Sequence, residues 1–103
     1  MGGLDELTAR VRAAVSQDSG LGKTLKLDLK GDGFLFIDGA EVSNEDRPAD
    51  LTVTISGDDL RALAERRLDP MGAVISRRMQ VSDMGLAMGL QGKLQALFSR
   101  MGS

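Results

Sequence analysis

The chain has 103 residues, 42% of them hydrophobic and 27% charged, with a formal net charge of −2. That size and make-up predict one globular domain spanning residues 1–103, with no room for a second. Histidine and cysteine are both absent, which excludes thiol chemistry, disulfides, the common zinc sites and any histidine-assisted triad.

Leu4, Leu7, Val11, Ala14 and Val15 recur at helical spacing and predict a helix from about Leu4 to Gln17, stopped by Gly20 and Gly22. Leu25, Leu27 and Leu29 then alternate with Lys26, Asp28 and Lys30, the period of a half-buried strand. Gly31-Asp32-Gly33 signals a tight turn into a second strand at Phe34 to Asp38, which is apolar on both sides. Glu41-Val42-Ser43 reads as a short edge strand. Leu51, Val53 and Ile55 alternate with Thr52 and Thr54 as a further strand. Ser56 is placed to cap a helix carrying Leu60, Leu63, Ala64 and Leu68. Asp69-Pro70 opens a short helix with Met71, Val74 and Ile75 on its apolar side. Met79-Gln80-Val81 is a short strand, and Asp83 caps one long terminal helix with Ala87, Leu90, Leu94, Leu97, Phe98 and Met101 in a heptad-like seam. The predicted class is α+β, a largely antiparallel sheet with helices on one face.

Several familiar motifs fail on inspection. Gly20-Leu21-Gly22-Lys23-Thr24 lacks the first glycine of a phosphate loop, and its strand and helix come in the wrong order. Asp28, Asp32 and Gly33 begin like a calcium loop, but Lys30 takes a ligand position and Gly39 stands where the bidentate Glu belongs. With only Phe34, Phe36 and Phe98 as aromatics, there is no stacking platform for single-stranded nucleic acid. The positive excess of a duplex-DNA binder is missing too. Nothing supplies a general base near neutral pH. The expectation is therefore a protein with no catalytic residues, metal or cofactor. No apolar run reaches the ~18 residues of a membrane span, and the first stretch has no signal-peptide core, so a cytoplasmic protein is expected.

The last third calls for an explanation. Met71, Met79, Met84, Met88 and Met101 gather there, and Gly85, Gly89 and Gly92 run through the predicted terminal helix. Methionine lines surfaces that adapt to varied apolar shapes. A methionine-rich core and an apolar cavity are both compatible with this pattern, and periodicity does not separate them. The glycines suit either a close backbone approach or space left unfilled. Arg66, Arg67, Arg77 and Arg78 form a basic cluster that suits either a solvated surface or a transient contact with an anionic membrane.

Ala49-Asp50-Leu51-Thr52-Val53-Thr54-Ile55-Ser56, Asp59-Leu60 and Leu68-Asp69-Pro70 together resemble the sterol-carrier-protein-2 family. So do Met79-Gln80-Val81 and Met84-Gly85-Leu86-Ala87-Met88-Gly89-Leu90-Gln91. The resemblance runs from about Lys23 to Phe98 and lies in the order and spacing of these segments. Arg66-Arg67-Leu68 departs from the family's usual Gly-Lys-Leu, and Arg77-Arg78 from a Gly-Lys. The resemblance implies a five-stranded sheet covered by four to five helices. It also implies an apolar tunnel for fatty acid, fatty acyl-CoA, phospholipid or sterol-like lipids, bound and transferred without catalysis. Carried over by position, the tunnel is lined by Phe36, Ile55, Met71, Val74, Ile75, Met79, Met84, Met88 and Gln91, with Gln91 placed to meet a head group. The alternative it implies is an accessory or dimerisation module of a larger enzyme or quinone-pathway assembly, for which the terminal helix would supply a homodimer seam.

Overall fold

The computed structural model describes residues 3–16 and 20–102. The chain opens with α1 (Gly3–Ala14), followed by β1 (Leu25–Asp28), β2 (Phe34–Asp38), β3 (Glu41–Ser43) and β4 (Leu51–Ile55). Two helices, α2 (Gly57–Ala64) and α3 (Pro70–Ile75), lead to β5 (Met79–Val81), and α4 (Met84–Gly89) and α5 (Gln91–Met101) close the fold. The first helix thus ends earlier than its apolar pattern suggests, although Val15 still donates to the Val11 carbonyl at 3.0 Å. Gln17, the predicted end, lies outside the described residues.

The sheet has the order β3-β2-β1-β4-β5. Three of its pairings are antiparallel, and the central one, β1 with β4, is parallel with Leu25 opposite Leu51 and Leu27 opposite Val53. The alternation read from sequence determines the faces. Leu25, Leu27, Leu35, Ile37, Leu51, Val53 and Ile55 are buried and join one cluster with Leu7, Val11, Leu60, Leu97 and Phe98 from the helices. Lys26, Thr52 and Thr54 point the other way and are half-buried.

A parallel β1–β4 pair requires the chain to cross the sheet after β3. Residues 44–50 make that crossing over the face away from the helices. Lys26 Nζ there meets Asp46 at 2.6 Å, and the Arg47 guanidinium lies 4.7 Å from the centre of the Phe36 ring. The crossing ends on Asp50. Its carboxylate accepts from the Thr24 N–H at 3.0 Å and the Thr24 hydroxyl at 3.1 Å, while the Asp50 N–H donates to Thr24 Oγ1 at 2.8 Å. This reciprocal clamp fixes the first rung of the parallel pair. Donation from the Thr24 backbone, then from its hydroxyl, holds the Asp50 carboxyl below its ordinary pKa. A pKa lowered by folding stabilises above the unfolded value and ceases to do so as pH falls through the folded one. Asp50→Asn is therefore expected to lower the melting temperature at neutral pH, with the gap to wild type closing on acidification below the ordinary carboxylate range. Melting curves followed by circular dichroism across that range check this.

The three predicted caps are all in place. Ser56 Oγ accepts from Asp59 N–H at 3.1 Å, Asp69 Oδ2 from Gly72 N–H at 3.1 Å, and Asp83 Oδ1 from Leu86 N–H at 3.0 Å. The other ends of α2 and α3 are built alike. Arg67 N–H reaches back to Ala62 O at 2.8 Å and Arg66 N–H to Leu63 O at 3.2 Å; Arg78 and Arg77 repeat this with Ala73 at 2.8 Å and Val74 at 3.1 Å. These are Schellman turns, whose left-handed position normally takes glycine. Here it takes Arg66 at φ 62° and Arg77 at φ 64°, each at a cost of about 1 kcal/mol. The two Gly-to-Arg departures from the family pattern therefore both fall at helix ends where glycine is conformationally favoured.

The single terminal helix is corrected to two. Leu90 N–H is shared between the Leu86 and Ala87 carbonyls, at 3.0 and 3.2 Å, and its own backbone leaves the helical region before α5 begins. The apolar seam runs through this joint without a gap, so spacing alone does not show it. The seam itself faces inward: Leu94, Leu97, Phe98 and Met101 are buried, and α5 packs on α1 and α2. The apolar side of the terminal helix, expected to supply a homodimer seam, is thus occupied within the domain. Gly89 and Gly92 have no atom within 4 Å of where a Cβ would stand, and Gly85 has only the Asp83 carboxylate at 3.5 Å. They border open space and make no close backbone approach.

Candidate functional site

β4 and β5 place Val53, Met79 and Val81 side by side on the helix-facing side of the sheet, Val53 paired with Val81. α3 brings Pro70, Met71 and Val74 over one edge of this floor, α4 brings Met84, Ala87 and Met88 over another, and α5 closes the back with Gln91, Leu94 and Phe98. The result is a pocket of about 60 Å³ in which Gln91 is the one polar side chain. Its position follows from the caps: Asp69 starts α3, Asp83 starts α4, and the β5 strand between them is hydrogen-bonded to β4. Ser82 continues that pairing, donating to Thr52 O at 2.9 Å and accepting from Thr52 N–H at 2.9 Å.

The floor is enclosed and the rim is open. Val53, Met79, Leu94 and Phe98 are buried, whereas Met71, Met84 and Met88 are exposed. A volume of 60 Å³ is well below the ~300 Å³ at which ligand pockets begin, so a lipid chain needs the methionine rim to move. Three rotatable bonds let such side chains swing out without moving backbone. On the far side of Pro70 and Phe98 lies a more polar depression bordered by Arg66, Arg67, Asp69 and Gln95. Arg67 is tied to Glu65 at 2.7 Å, and this pairing lowers the Glu65 pKa.

Of the residues picked from sequence, Met71, Val74, Met79, Met84, Met88 and Gln91 come together around this one pocket. Three do not. Phe36 lies on the opposite face of the sheet, paired with Lys26 and Ser43 and covered by Arg47. Ile55 faces the helices but is fully enclosed in the core beside Met79. Ile75 ends α3 with 76% of its surface exposed, outside the lining. Sequence reasoning missed Val53, Pro70, Val81, Ala87, Leu94 and Phe98. Their alternation or helical spacing marks most of them as apolar-facing, but nothing in it separates a pocket wall from core.

Among the described residues no group of three or more carboxylates could hold a metal ion, and no helix is long and apolar enough to cross a membrane. The model of the SCP-2 sterol transfer family matches residues 3–95, nearly the whole chain. The chain belongs to this family. A rabbit (Oryctolagus cuniculus) protein named sterol carrier protein 2 is 39% identical over 54 residues, which are 52% of this chain and about a tenth of that protein's length. Among solved structures, sterol carrier protein 2 like 2 from Aedes aegypti superposes with a TM-score of 0.74 at 20% identity, covering 87% of this chain and 94% of its own. A ubiquinone synthesis protein, UbiJ-SCP2, reaches 0.57 at 22% identity, covering 88% and 76%. At such identities the two structures speak for the fold, and the SCP-2 fold is the five-stranded mixed sheet with five helices described above.

Proposed function

We propose that this SCP-2 domain binds an apolar lipid between its sheet and helices α3–α5 and transfers it without chemical change. The observation that carries the reading is the pocket's lining: eleven apolar residues, four of them methionines, and a single polar side chain, Gln91. Such a wall offers no directional group except at Gln91, so it selects for apolar surface and tolerates variety in shape. Fatty acid, acyl-CoA, phospholipid and sterol-like molecules all present that chemistry. Burial contributes about 0.8 kcal/mol per methylene, so a chain with twelve buried methylenes gains roughly 10 kcal/mol before ordering costs. Gln91 is placed to meet the polar end. The methionines yield their space as the ligand enters, which makes the bound pocket larger than the empty one.

On this reading the protein is a non-catalytic cytoplasmic carrier, and Arg66, Arg67, Arg77 and Arg78 suit transient contact with the anionic membranes it serves. The alternative, an accessory or dimerisation module, loses its expected docking seam because α5 is spent in the core.

Native mass spectrometry of the purified protein, followed by denaturing extraction, tests the proposal. The expected result is a stoichiometric lipid, or saturable loading when fatty acid is added to a ligand-free protein. A protein that arrives empty and refuses an acyl chain would overturn it.

A further inference from the structure

The exposed large hydrophobic side chains are not scattered. Among the described residues they are Met71, Ile75, Met84 and Met88, at 41%, 76%, 52% and 55% exposure. Three of them rim the pocket. Ile75 stands one helical turn after Met71 on α3, on the same side of that helix. No other part of the described surface presents an apolar group of this size. The amphipathic α1 offers none, because Leu7, Val11 and Ala14 are turned into the core.

Charge follows the same geography. From Arg66 to Lys93 five basic residues stand against two acidic ones, leaving eight basic against thirteen acidic elsewhere. The two acidic residues, Asp69 and Asp83, have their carboxylates committed to helix caps. Arg77 and Arg78 follow Ile75 directly. Among the described residues neither forms an ion pair. An acidic protein thus gathers its exposed large apolar side chains around the mouth of its pocket, with Arg77 and Arg78 next to them in the chain.

Arg77 also bears a backbone cost, as Lys30 does in the β1–β2 turn. It occupies a left-handed position that glycine would take without strain, and Arg66 does the same at the end of α2. What Arg77 adds over glycine is a cation two residues after Ile75.

We propose that this rim is a membrane-docking face. Ile75, Met71, Met84 and Met88 enter the head-group region of an anionic bilayer, Arg77 and Arg78 bind the lipid phosphates, and the pocket opens directly onto the bilayer. The proposal rests on the lipid-carrier reading and specifies where the cargo enters. A non-directional apolar rim under diffuse positive charge fits a lipid surface, which is fluid and anionic, better than a protein surface with fixed hydrogen-bonding groups.

The test is sedimentation of the full chain with vesicles of equal parts phosphatidylcholine and phosphatidylserine, against pure phosphatidylcholine. Wild type is expected to prefer the anionic vesicles and to be released by salt. Ile75→Ser removes the apolar surface from an already exposed position and is expected to weaken binding about tenfold or more. Arg77→Gly is expected to weaken it about fivefold while raising the melting temperature, the opposite signs distinguishing docking from folding. Uptake of a fluorescent fatty acid from solution is expected to be unchanged in both variants, since neither residue lines the pocket. Equal binding to both vesicle types, full binding by Ile75→Ser, or self-association through the rim in place of vesicle binding would each overturn the proposal. Intact anionic-vesicle binding in a wild type that takes up no fatty acid would overturn the carrier reading and leave the docking face standing.

Discussion

Met88→Asp is expected to reduce fatty-acid affinity roughly a hundredfold while leaving the domain folded. Met88 sits on the rim of the pocket with half its surface in water. In the empty protein an aspartate there stays hydrated, and α4 loses no buried contact because none of its residues is buried. An acyl chain filling the pocket covers that position and strips water from the carboxylate, at a cost of about 2–3 kcal/mol or more. A titration with a fluorescent long-chain fatty acid measures the loss, and a melting curve confirms the fold. Met88→Leu keeps the apolar wall and is expected to bind nearly as well. Undiminished binding by the aspartate variant would place the ligand elsewhere.

Leu27→Ala is expected to do the reverse, costing about 2–5 kcal/mol of stability without changing the chemistry of the pocket. Leu27 is fully buried at the centre of the sheet, between Leu35 on β2 and Val53 on β4. It packs where the antiparallel and parallel halves of the sheet meet, so the surrounding backbone is held on both sides and collapses little into the void. For a domain of this size the loss corresponds to a fall of roughly 10 °C or more in melting temperature. Denaturant unfolding at constant slope gives the same quantity independently. Well below its transition the variant is expected to bind ligand like the wild type. A shift of only a degree or two would mean that the sheet centre is less tightly packed than Leu27's burial indicates.

Much of the fold was legible because its strands and caps obey local rules. Leu25-Leu27-Leu29 and Leu51-Val53-Ile55 alternate cleanly, so both their strand character and their inward faces could be read. Ser56, Asp69 and Asp83 stand just ahead of apolar periodic segments, and each makes the predicted hydrogen bond. Phe36 was misplaced for the opposite reason. Phe34 to Ile37 is apolar at every position, so its period does not say which face is inner, and the crossing of residues 44–50 that buries Phe36 from behind is a tertiary event. Ile55 has the right face but lies deeper in the core than the pocket reaches. Ile75 ends its helix, where one further residue of rotation carries a side chain from the wall to solvent. The break at Leu90 was hidden because the apolar spacing of α4 continues in phase into α5. Pocket and core are built of the same residue types, and only where the helices stop short of the sheet does one become the other.

The parallel pairing of β1 with β4 also bears on how the chain comes off the ribosome. When β3 has emerged and β4 has not, β1 has β2 on one side and a bare edge on the other, because its second partner begins at Leu51. The helix-facing side of the sheet is just as unfinished, since α1 packs on α5, the last element made. An incomplete chain therefore presents an open strand edge beside uncovered leucines, the combination most prone to pairing with another chain. No N-terminal half of this domain can be stable by itself. The sheet is secure only once its two halves have met.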